Sequence, residues 1–261
     1  MAEWRFSDES FPLLVAHRGD PLRHPENSIE GFRSALRTGA DAVEFDVRLT
    51  RDAVPVIMHD ADVSRTTDGR GLVHELTLAE IQTLRLAGTG RVPTLAEALE
   101  AVGSLGGGVD IEVKNLPGEP GFEADAERTL EATLSALRLG RFAGSVVITS
   151  FNPATIRRSA ELAPEVPTGL LVIDAVDPFD ALGAAIADAH AFILPSVASL
   201  VDAGPALIHA AHEAGVRVGV WTADDPATVR RLLEWEVDAV ATNDPALAAA
   251  ARETWRAERG R

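Results

Sequence analysis

The chain contains no cysteine, and only one of its 24 basic residues, Lys114, is a lysine. The lack of cysteine excludes disulfide bonds and thiolate chemistry and leaves the redox compartment open. A strong preference for arginine is typical of a genome that favours arginine codons. The single lysine could survive by chance, or it could be required where a compact ammonium cannot be replaced by a planar guanidinium.

Basic residues are outnumbered by acidic ones, 24 against 40, and the formal net charge is -16. This balance argues against sequence-independent binding of nucleic acid, which needs a basic surface to displace counterions from phosphates. An anionic substrate would need local arginines or a bound cation. No apolar run approaches the ~20 residues of a membrane helix, and the first 17 residues lack the basic start of a signal peptide. We therefore expect a cytoplasmic protein without stable membrane insertion, whose oligomeric state the sequence does not indicate.

Short apolar runs alternate with helical patterns along the whole chain, which predicts an α/β protein. At 261 residues, this pattern favours a single (β/α)8 TIM barrel domain over residues 1–261; a doubly wound open sheet is the alternative. The predicted strands are 13–17, 42–47, 108–113, 145–150, 168–173, 191–195, 217–222 and 239–242. Residues 54–93 break the repeat with an extra strand, 54–59, and we interpret them as a small insertion after the second strand, over the barrel mouth.

Two predicted strands carry carboxylates where barrel strands are usually apolar. Because side chains alternate along a strand, Glu44 and Asp46 face one side, and Asp110, Glu112 and Lys114 share a face in the next strand. An exposed edge strand would explain one such pattern, but two consecutive strands favour inward-facing carboxylates. Crowded carboxylates repel and raise one another's pKa, so a divalent cation is expected. Oxygen ligands favour Mg²⁺ or Ca²⁺ over zinc.

Two histidines end predicted strands near this acidic cluster. His17 closes the first strand and His59 closes the extra strand, and histidine can exchange a proton near neutral pH. Either ring alone could be merely hydrogen-bonded, but together they indicate an acid/base pair near a metal. Arg18, directly after His17, has a planar fork suited to a phosphate. With Lys114 and a cation it would form a phosphate pocket inside an acidic protein.

Ordered motifs along most of the chain resemble those of the glycerophosphodiester phosphodiesterases. They are HRG (17–19), PENS (25–28), GADAVEFDV (39–47), HD (59–60), RTT (65–67), IEVK (111–114), SF (150–151), VWT (220–222) and TNDP (242–245). The resemblance implies a (β/α)8 barrel that uses a divalent metal to hydrolyse glycerophosphodiesters to glycerol 3-phosphate and an alcohol. It implies His17 and His59 as the general acid/base pair, and Glu44, Asp46 and Glu112 as metal ligands.

The same resemblance implies a substrate-binding set around these residues. Arg18 and Lys114 would contact the phosphate, and Asn27 of the PEN motif would position the first loop or the substrate. Phe151 and Trp221 would line the pocket. The substrate is therefore expected to be a small-molecule phosphodiester.

Four positions depart from the family pattern. Ser28 replaces a threonine but can still cap a helix, and Ala53 replaces a turn glycine, which restricts positive φ there. Asp224 stands where the pattern W-T-V-N has asparagine, and Asn243 stands where the family usually has aspartate. None of the four belongs to the predicted catalytic set, but they affect the pocket rim.

Two alternative functions remain open from the residues. A lysophospholipase-D-like enzyme on the same barrel should have an apolar exposed rim in the insertion, where this sequence is mostly polar. A non-catalytic binding barrel should lack a histidine or carboxylate of the predicted set, and none is missing. The leaving alcohol, the choice between Mg²⁺ and Ca²⁺ and the assignment of acid and base to the histidines are open.

Overall fold

A computed structural model describes residues 12–87, 90–140 and 142–260, and its strands form a closed barrel. The strands are β1 (Leu13–His17), β2 (Ala42–Leu49), β3 (Pro55–Ile57), β4 (Gly108–Val113), β5 (Val146–Ser150), β6 (Thr168–Val172), β7 (Phe192–Pro195), β8 (Arg217–Val220) and β9 (Ala239–Thr242). Every strand except β3 belongs to a parallel ring, which closes because β1 pairs with both β2 and β9. The TIM barrel prediction is confirmed, and the open sheet is wrong.

Helices follow the strands and surround the ring. They are α1 (Ile29–Arg37), α2 (Leu78–Ile81), α3 (Leu95–Gly103), α4 (Arg128–Gly140), α5 (Pro153–Leu162), α6 (Pro178–Ala187), α7 (Val197–Ala203), α8 (Pro205–Glu213), α9 (Pro226–Glu234) and α10 (Pro245–Arg259). The hydroxyl of Ser28 accepts a hydrogen bond from the Gly31 amide at 3.1 Å and caps α1, as the sequence predicts.

The alternation in β2 separates the apolar layer from the polar interior. Val43, Phe45 and Val47 are fully buried in the cluster between strands and helices, where the Phe32 and Phe45 rings lie 5.4 Å apart. The intervening side chains therefore face the barrel interior. This places the carboxylates of β2 inside the ring near its carboxyl end, where active sites of TIM barrels are found.

The insertion begins at the carboxyl end of β2. Strand β3 pairs antiparallel with β2, with Val47 opposite Ile57, so the predicted extra strand is present but shorter than 54–59. Two 3₁₀ turns and α2 follow, around a small apolar core of their own. That core consists of Val56, Met58, Val63, Val73, Ile81 and Val92.

The turn before β3 adopts a left-handed conformation without glycine. Ala53 has φ of 60°, although the sequence suggested that alanine would restrict this geometry. The Thr50 hydroxyl accepts from the Val54 amide, and the Ala53 amide donates to the Thr50 carbonyl. These bonds hold the alanine in a region that disfavours a Cβ.

Some predictions fall outside the described residues. The predicted lack of a signal peptide concerns mainly residues 1–11, and the domain limits 1 and 261 also lie outside. Over the described ranges, no helix is long and apolar enough to cross a membrane. Cytoplasmic location stays a prediction.

Candidate active site

Three carboxylates from two neighbouring strands converge inside the barrel mouth. The register of β2 and β4 sets Asp46 beside Glu112 and Glu44 beside Asp110. One carboxylate oxygen from each of Glu44, Asp46 and Glu112 lies within 4.8 Å of the other two. All three side chains are buried. The convergence that alternation predicted is therefore present.

The ammonium of Lys114 lies among these carboxylates. Its Nζ is 3.0 Å from Asp46 Oδ1 and 2.6 Å from Glu112 Oε1. Burial raises the pKa of Glu112 to about 7 and that of Glu44 well above its ordinary value. Burial would also raise the pKa of Asp46, but Lys114 and other cations nearby lower it below its ordinary value. The raised pKa values mean that Glu44 and Glu112 hold protons more tightly than exposed carboxylates do, so a further cation would stabilise their ionised forms.

The donor set fits a hard divalent cation. Glu44 Oε1 is buried and has no hydrogen-bond partner among the described residues, which leaves a buried acceptor available to a cation. The available donors are all oxygens, as Mg²⁺ and Ca²⁺ require. Glu44, Asp46 and Glu112 could therefore hold one such ion.

The loop after β1 is fastened to the carboxylates. The backbone amide of Arg18 donates to Glu44 Oε2 at 2.9 Å, and Asn27 Nδ2 donates to Asp46 Oδ2 at 2.8 Å. Arg18 and Asn27 both have positive φ, 55° and 57°. Such strain persists where surrounding contacts fix the backbone. The Arg18 guanidinium lies against Asp46 and Glu26, so it also enters the site.

His17 is held between an amide and a carboxylate. Its Nδ1 lies 2.8 Å from Asn243 Oδ1, and its Nε2 lies 3.9 Å from Glu44 Oε2. Burial is the main cause that lowers the pKa of His17, and the positive charge of the neighbouring Arg18 is the second. The ring is therefore directed toward the carboxylate cluster through Nε2.

His59 has a different partner. Its Nδ1 lies 2.6 Å from Asp60 Oδ1, and Arg65 donates to the other Asp60 oxygen. The bond from Arg65 is the main reason that the pKa of Asp60 is lowered to about 2. Burial lowers the pKa of His59, whereas the charge of Asp46 raises it. This histidine is thus paired with an ionised carboxylate at the edge of the site.

Two aromatic rings pack together at the site, and one of them lies beside Lys114. Phe151 and Trp221 make an edge-to-face contact with ring centroids 5.4 Å apart, and Lys114 Nζ is 5.9 Å from the Phe151 centroid. Trp221 Nε1 donates to the Leu194 carbonyl at 2.7 Å, which fixes the indole. Together they form an apolar wall beside the ammonium.

Comparison with known proteins places this geometry in a family. The model of the glycerophosphoryl diester phosphodiesterase family matches residues 17–247. The chain belongs to the glycerophosphoryl diester phosphodiesterase family. A glycerophosphodiester phosphodiesterase of Caldanaerobacter subterraneus is 35% identical over 244 residues, covering 89% of this chain and 94% of that protein.

Solved structures agree with this membership. An Oleispira antarctica phosphodiesterase in complex with the product sn-glycerol-3-phosphate has a TM-score of 0.82 at 27% identity, covering 93% of this chain and 97% of that chain. A glycerophosphodiester phosphodiesterase structure from Agrobacterium tumefaciens has a TM-score of 0.75 at 28% identity, covering 92% of this chain and 100% of that chain.

In this family member, the ten predicted site residues gather at one end of the barrel. Contacts connect the carboxylates with the first loop, His17, Lys114 and the aromatic pair. His59 is near enough for the charges of Asp46 and Lys114 to influence its pKa. The arrangement provides two imidazoles, two cations and a carboxylate cluster around one mouth.

Sequence reasoning assigned no role to several residues that contact the predicted set. Asp60 and Glu26 stand directly beside His59 and Asn27 in the HD and PEN motifs, so adjacency was an available signal. Arg65, in the RTT motif, donates to both of these carboxylates. Asn243 appeared only as a departure from the family pattern. Its contact with His17 joins positions 226 residues apart, which no local pattern indicates.

Proposed function

We propose that this protein hydrolyses glycerophosphodiesters to glycerol 3-phosphate and an alcohol, with a divalent cation and two histidines. The observation that carries the proposal is the convergence of Glu44, Asp46 and Glu112 beside Lys114 at the barrel mouth. Family membership and the named product in the Oleispira structure support the substrate class.

The three carboxylates would hold the cation, which could be Mg²⁺ or Ca²⁺. When bound, it acts as a Lewis acid and offsets negative charge on the phosphate. Arg18 and Lys114 supply further positive charge to the phosphate oxygens. Asn27 keeps Asp46 oriented through the hydrogen bond at 2.8 Å. Phe151 and Trp221 would pack against the carbon atoms of the glycerol.

The two histidines would move the protons of a two-step reaction. In the first step a glycerol hydroxyl loses its proton to one imidazole, and its oxygen attacks the phosphorus. The bond from phosphorus to the alcohol oxygen breaks, and that oxygen takes a proton from the other imidazole. Water then opens the cyclic phosphodiester, with His17 and His59 exchanging roles, to give glycerol 3-phosphate.

A panel of glycerophosphodiesters with choline, ethanolamine, glycerol or inositol as the alcohol tests the proposal. We expect release of glycerol 3-phosphate from at least one member. The variants Glu44→Gln and Glu112→Gln should lose most of that activity. Glu127→Gln is the matched control, because Glu127 is buried but contacts Thr155 instead of the cluster. Absence of release from every member would contradict the proposal.

A lysophospholipase-D-like activity is the second candidate, and exposed apolar side chains favour it. The polar insertion exposes no large apolar side chain among its described residues. Such side chains occur instead on the loops after β1, β4 and β6 at the mouth: Leu22, Phe122, Ile173 and Val176. Release of choline from lysophosphatidylcholine faster than from glycerophosphocholine would favour this candidate.

A further inference from the structure

A chain of hydrogen bonds leads from His17 to the protein surface through two residues outside the predicted catalytic set. Asn243 Oδ1 faces His17 Nδ1 at 2.8 Å. The opposite atom of that amide, Nδ2, donates to Asp224 Oδ2 at 2.7 Å, and the Asn243 backbone amide donates to Asp224 Oδ1 at 2.7 Å. Asp224 therefore binds Asn243 at two points.

These contacts fix which way the Asn243 side chain faces. An ionised carboxylate only accepts hydrogen bonds, so it must face the NH₂ group of the amide. The amide oxygen then faces His17 and can only accept. In the neutral imidazole one nitrogen donates and the other accepts. Nδ1 must therefore carry the proton, and Nε2, 3.9 Å from Glu44 Oε2, keeps its lone pair.

We propose that Asp224 and Asn243 are positioning residues that hold His17 as its Nδ1–H tautomer, with the Nε2 lone pair directed into the site. The importance of the tautomer rests on the proposed function, in which this ring moves a proton. Asp224 and Asn243 touch neither the phosphate pocket nor the carboxylates in any contact of the described residues. They act through His17 alone.

The two residues depart from the family pattern in a reciprocal way. The pattern has an amide at position 224 and usually a carboxylate at 243, and this chain has the carboxylate at 224 and the amide at 243. In either order, the residue at 243 can accept from His17 Nδ1. In the family order the amide at 224 would donate to the carboxylate at 243, whereas here the amide at 243 donates to the carboxylate at 224. The exchange moves the negative charge one residue farther from the imidazole and reverses the bond between positions 224 and 243, but it keeps an acceptor at position 243 for His17 Nδ1.

A single and a double substitution at these two positions should have opposite effects on the His17 tautomer. In Asp224→Asn the new amide oxygen should take the place of Oδ1, where it accepts from the Asn243 backbone and from Thr242. Its NH₂ group would then face the NH₂ group of Asn243. That clash should rotate the Asn243 amide, present a donor to His17 and force the Nε2–H tautomer. Adding Asn243→Asp restores an acceptor for Nδ1–H.

Nitrogen-15 NMR of the histidine rings measures the tautomer directly. Spectra are recorded at about pH 8, above the ordinary histidine pKa of ~6.5, and the His17 signals are assigned by their absence from His17→Ala. We expect Nδ1–H in the wild type and in the double variant, and Nε2–H in Asp224→Asn. The control is Asp174→Asn, because Asp174 accepts from Ser196 at the same end of the barrel and does not contact His17.

Turnover of glycerophosphodiesters supplies a second measurement. We expect kcat of Asp224→Asn to fall by about 10²-fold, the lower end of the range for general acid–base catalysis, with KM little changed. The double variant should recover most of this loss, and Asp174→Asn should keep wild-type kcat.

The two measurements separate the proposals. An Nε2–H tautomer in the wild type, or an unchanged tautomer and kcat in Asp224→Asn, would overturn the positioning role. So would a double variant that stays on Nε2–H. If Asp224→Asn does not fold, the wild-type and double-variant spectra still decide. A wild type with the Nδ1–H tautomer but no turnover on any diester would support the positioning role and contradict the proposed function.

Discussion

His59 Nδ1 lies 2.6 Å from the carboxylate of Asp60, whereas the corresponding nitrogen of His17 meets the amide oxygen of Asn243. The two imidazoles therefore differ in their partners. A carboxylate stabilises the protonated ring more than an amide does, because it adds opposite charge. The pairing favours His59 as the acid of the first step and His17 as its base.

We expect His17→Ala and His59→Ala each to lose about 10²–10⁴-fold in kcat on an alkyl diester. An aryl leaving group needs little protonation, so the variant that lacks the first-step acid should recover on an aryl ester. We expect that variant to be His59→Ala. Comparison of kcat for each variant on both esters measures this. Recovery by His17→Ala instead would reverse the assignment, and near wild-type activity of both on the alkyl diester would refute the pair.

Lys114→Arg should remove most activity even though charge is retained. The Nζ atom is within 3.0 Å of both Asp46 and Glu112 in a buried position, and a guanidinium is longer and planar. We expect kcat to fall by about 10²-fold or more, similar to the loss of one transition-state donor. The control is Lys114→Met, which removes the charge. We expect kcat of Lys114→Arg to be no higher than kcat of Lys114→Met. Circular dichroism checks that both fold, and wild-type turnover by Lys114→Arg would make the lysine an accident of composition.

Asp110 should make folding stability depend on pH. Burial raises its pKa to about 7 from 3.8, so between these values the folded chain keeps a proton that the unfolded chain releases. Stability contributed by this group therefore falls as pH rises through that window. Asp110→Asn cannot ionise and retains an oxygen for the Thr149 hydroxyl, which donates to Asp110 Oδ1 at 2.6 Å.

Urea denaturation with a chelator present, from about pH 5 to about pH 8, measures the difference between Asp110→Asn and the wild type. We expect the variant to gain stability relative to the wild type as pH rises. The control is Asp52→Asn, because a hydrogen bond from Thr50 lowers the pKa of Asp52. Its effect should stay constant over this range. A constant difference for Asp110→Asn would show that Asp110 does not hold its proton.

Ala53→Gly should stabilise the protein. Ala53 has φ of 60° in an exposed turn, a conformation that costs a residue with a Cβ roughly 1 kcal/mol. Glycine also gains entropy when the chain unfolds, so we expect a net gain of about 0.5 kcal/mol. Ala250→Gly, on the exposed side of α10, is the matched control and should lose about 0.5–1 kcal/mol. The free energy of unfolding in urea checks both, and a loss for Ala53→Gly would contradict the account.

The sequence predicts most of the barrel because alternation and helix signals are local. Glu44 and Asp46 alternate with Val43 and Phe45, so the inward face of β2 follows from two-residue periodicity. The hydrogen bond between His17 Nδ1 and Asn243 Oδ1 could not be predicted in this way. It depends on how the loop after β9 packs beside β1, which is set by closure of the ring.

The turn at Ala53 shows a related limit. The alanine suggested restricted geometry, but bonds to Thr50 hold a left-handed conformation. Local preference costs only about 1–2 kcal/mol per residue, so a few tertiary contacts can override it.

Phosphorus NMR of glycerophosphocholine hydrolysis tests the central claim most directly. The protein is stripped with a chelator, and Mg²⁺ or Ca²⁺ is then returned while the spectrum is followed. We predict that the stripped protein leaves the diester signal unchanged and that one of the two cations restores conversion to glycerol 3-phosphate. Conversion by the stripped protein at the original rate would contradict the proposed role of Glu44, Asp46 and Glu112.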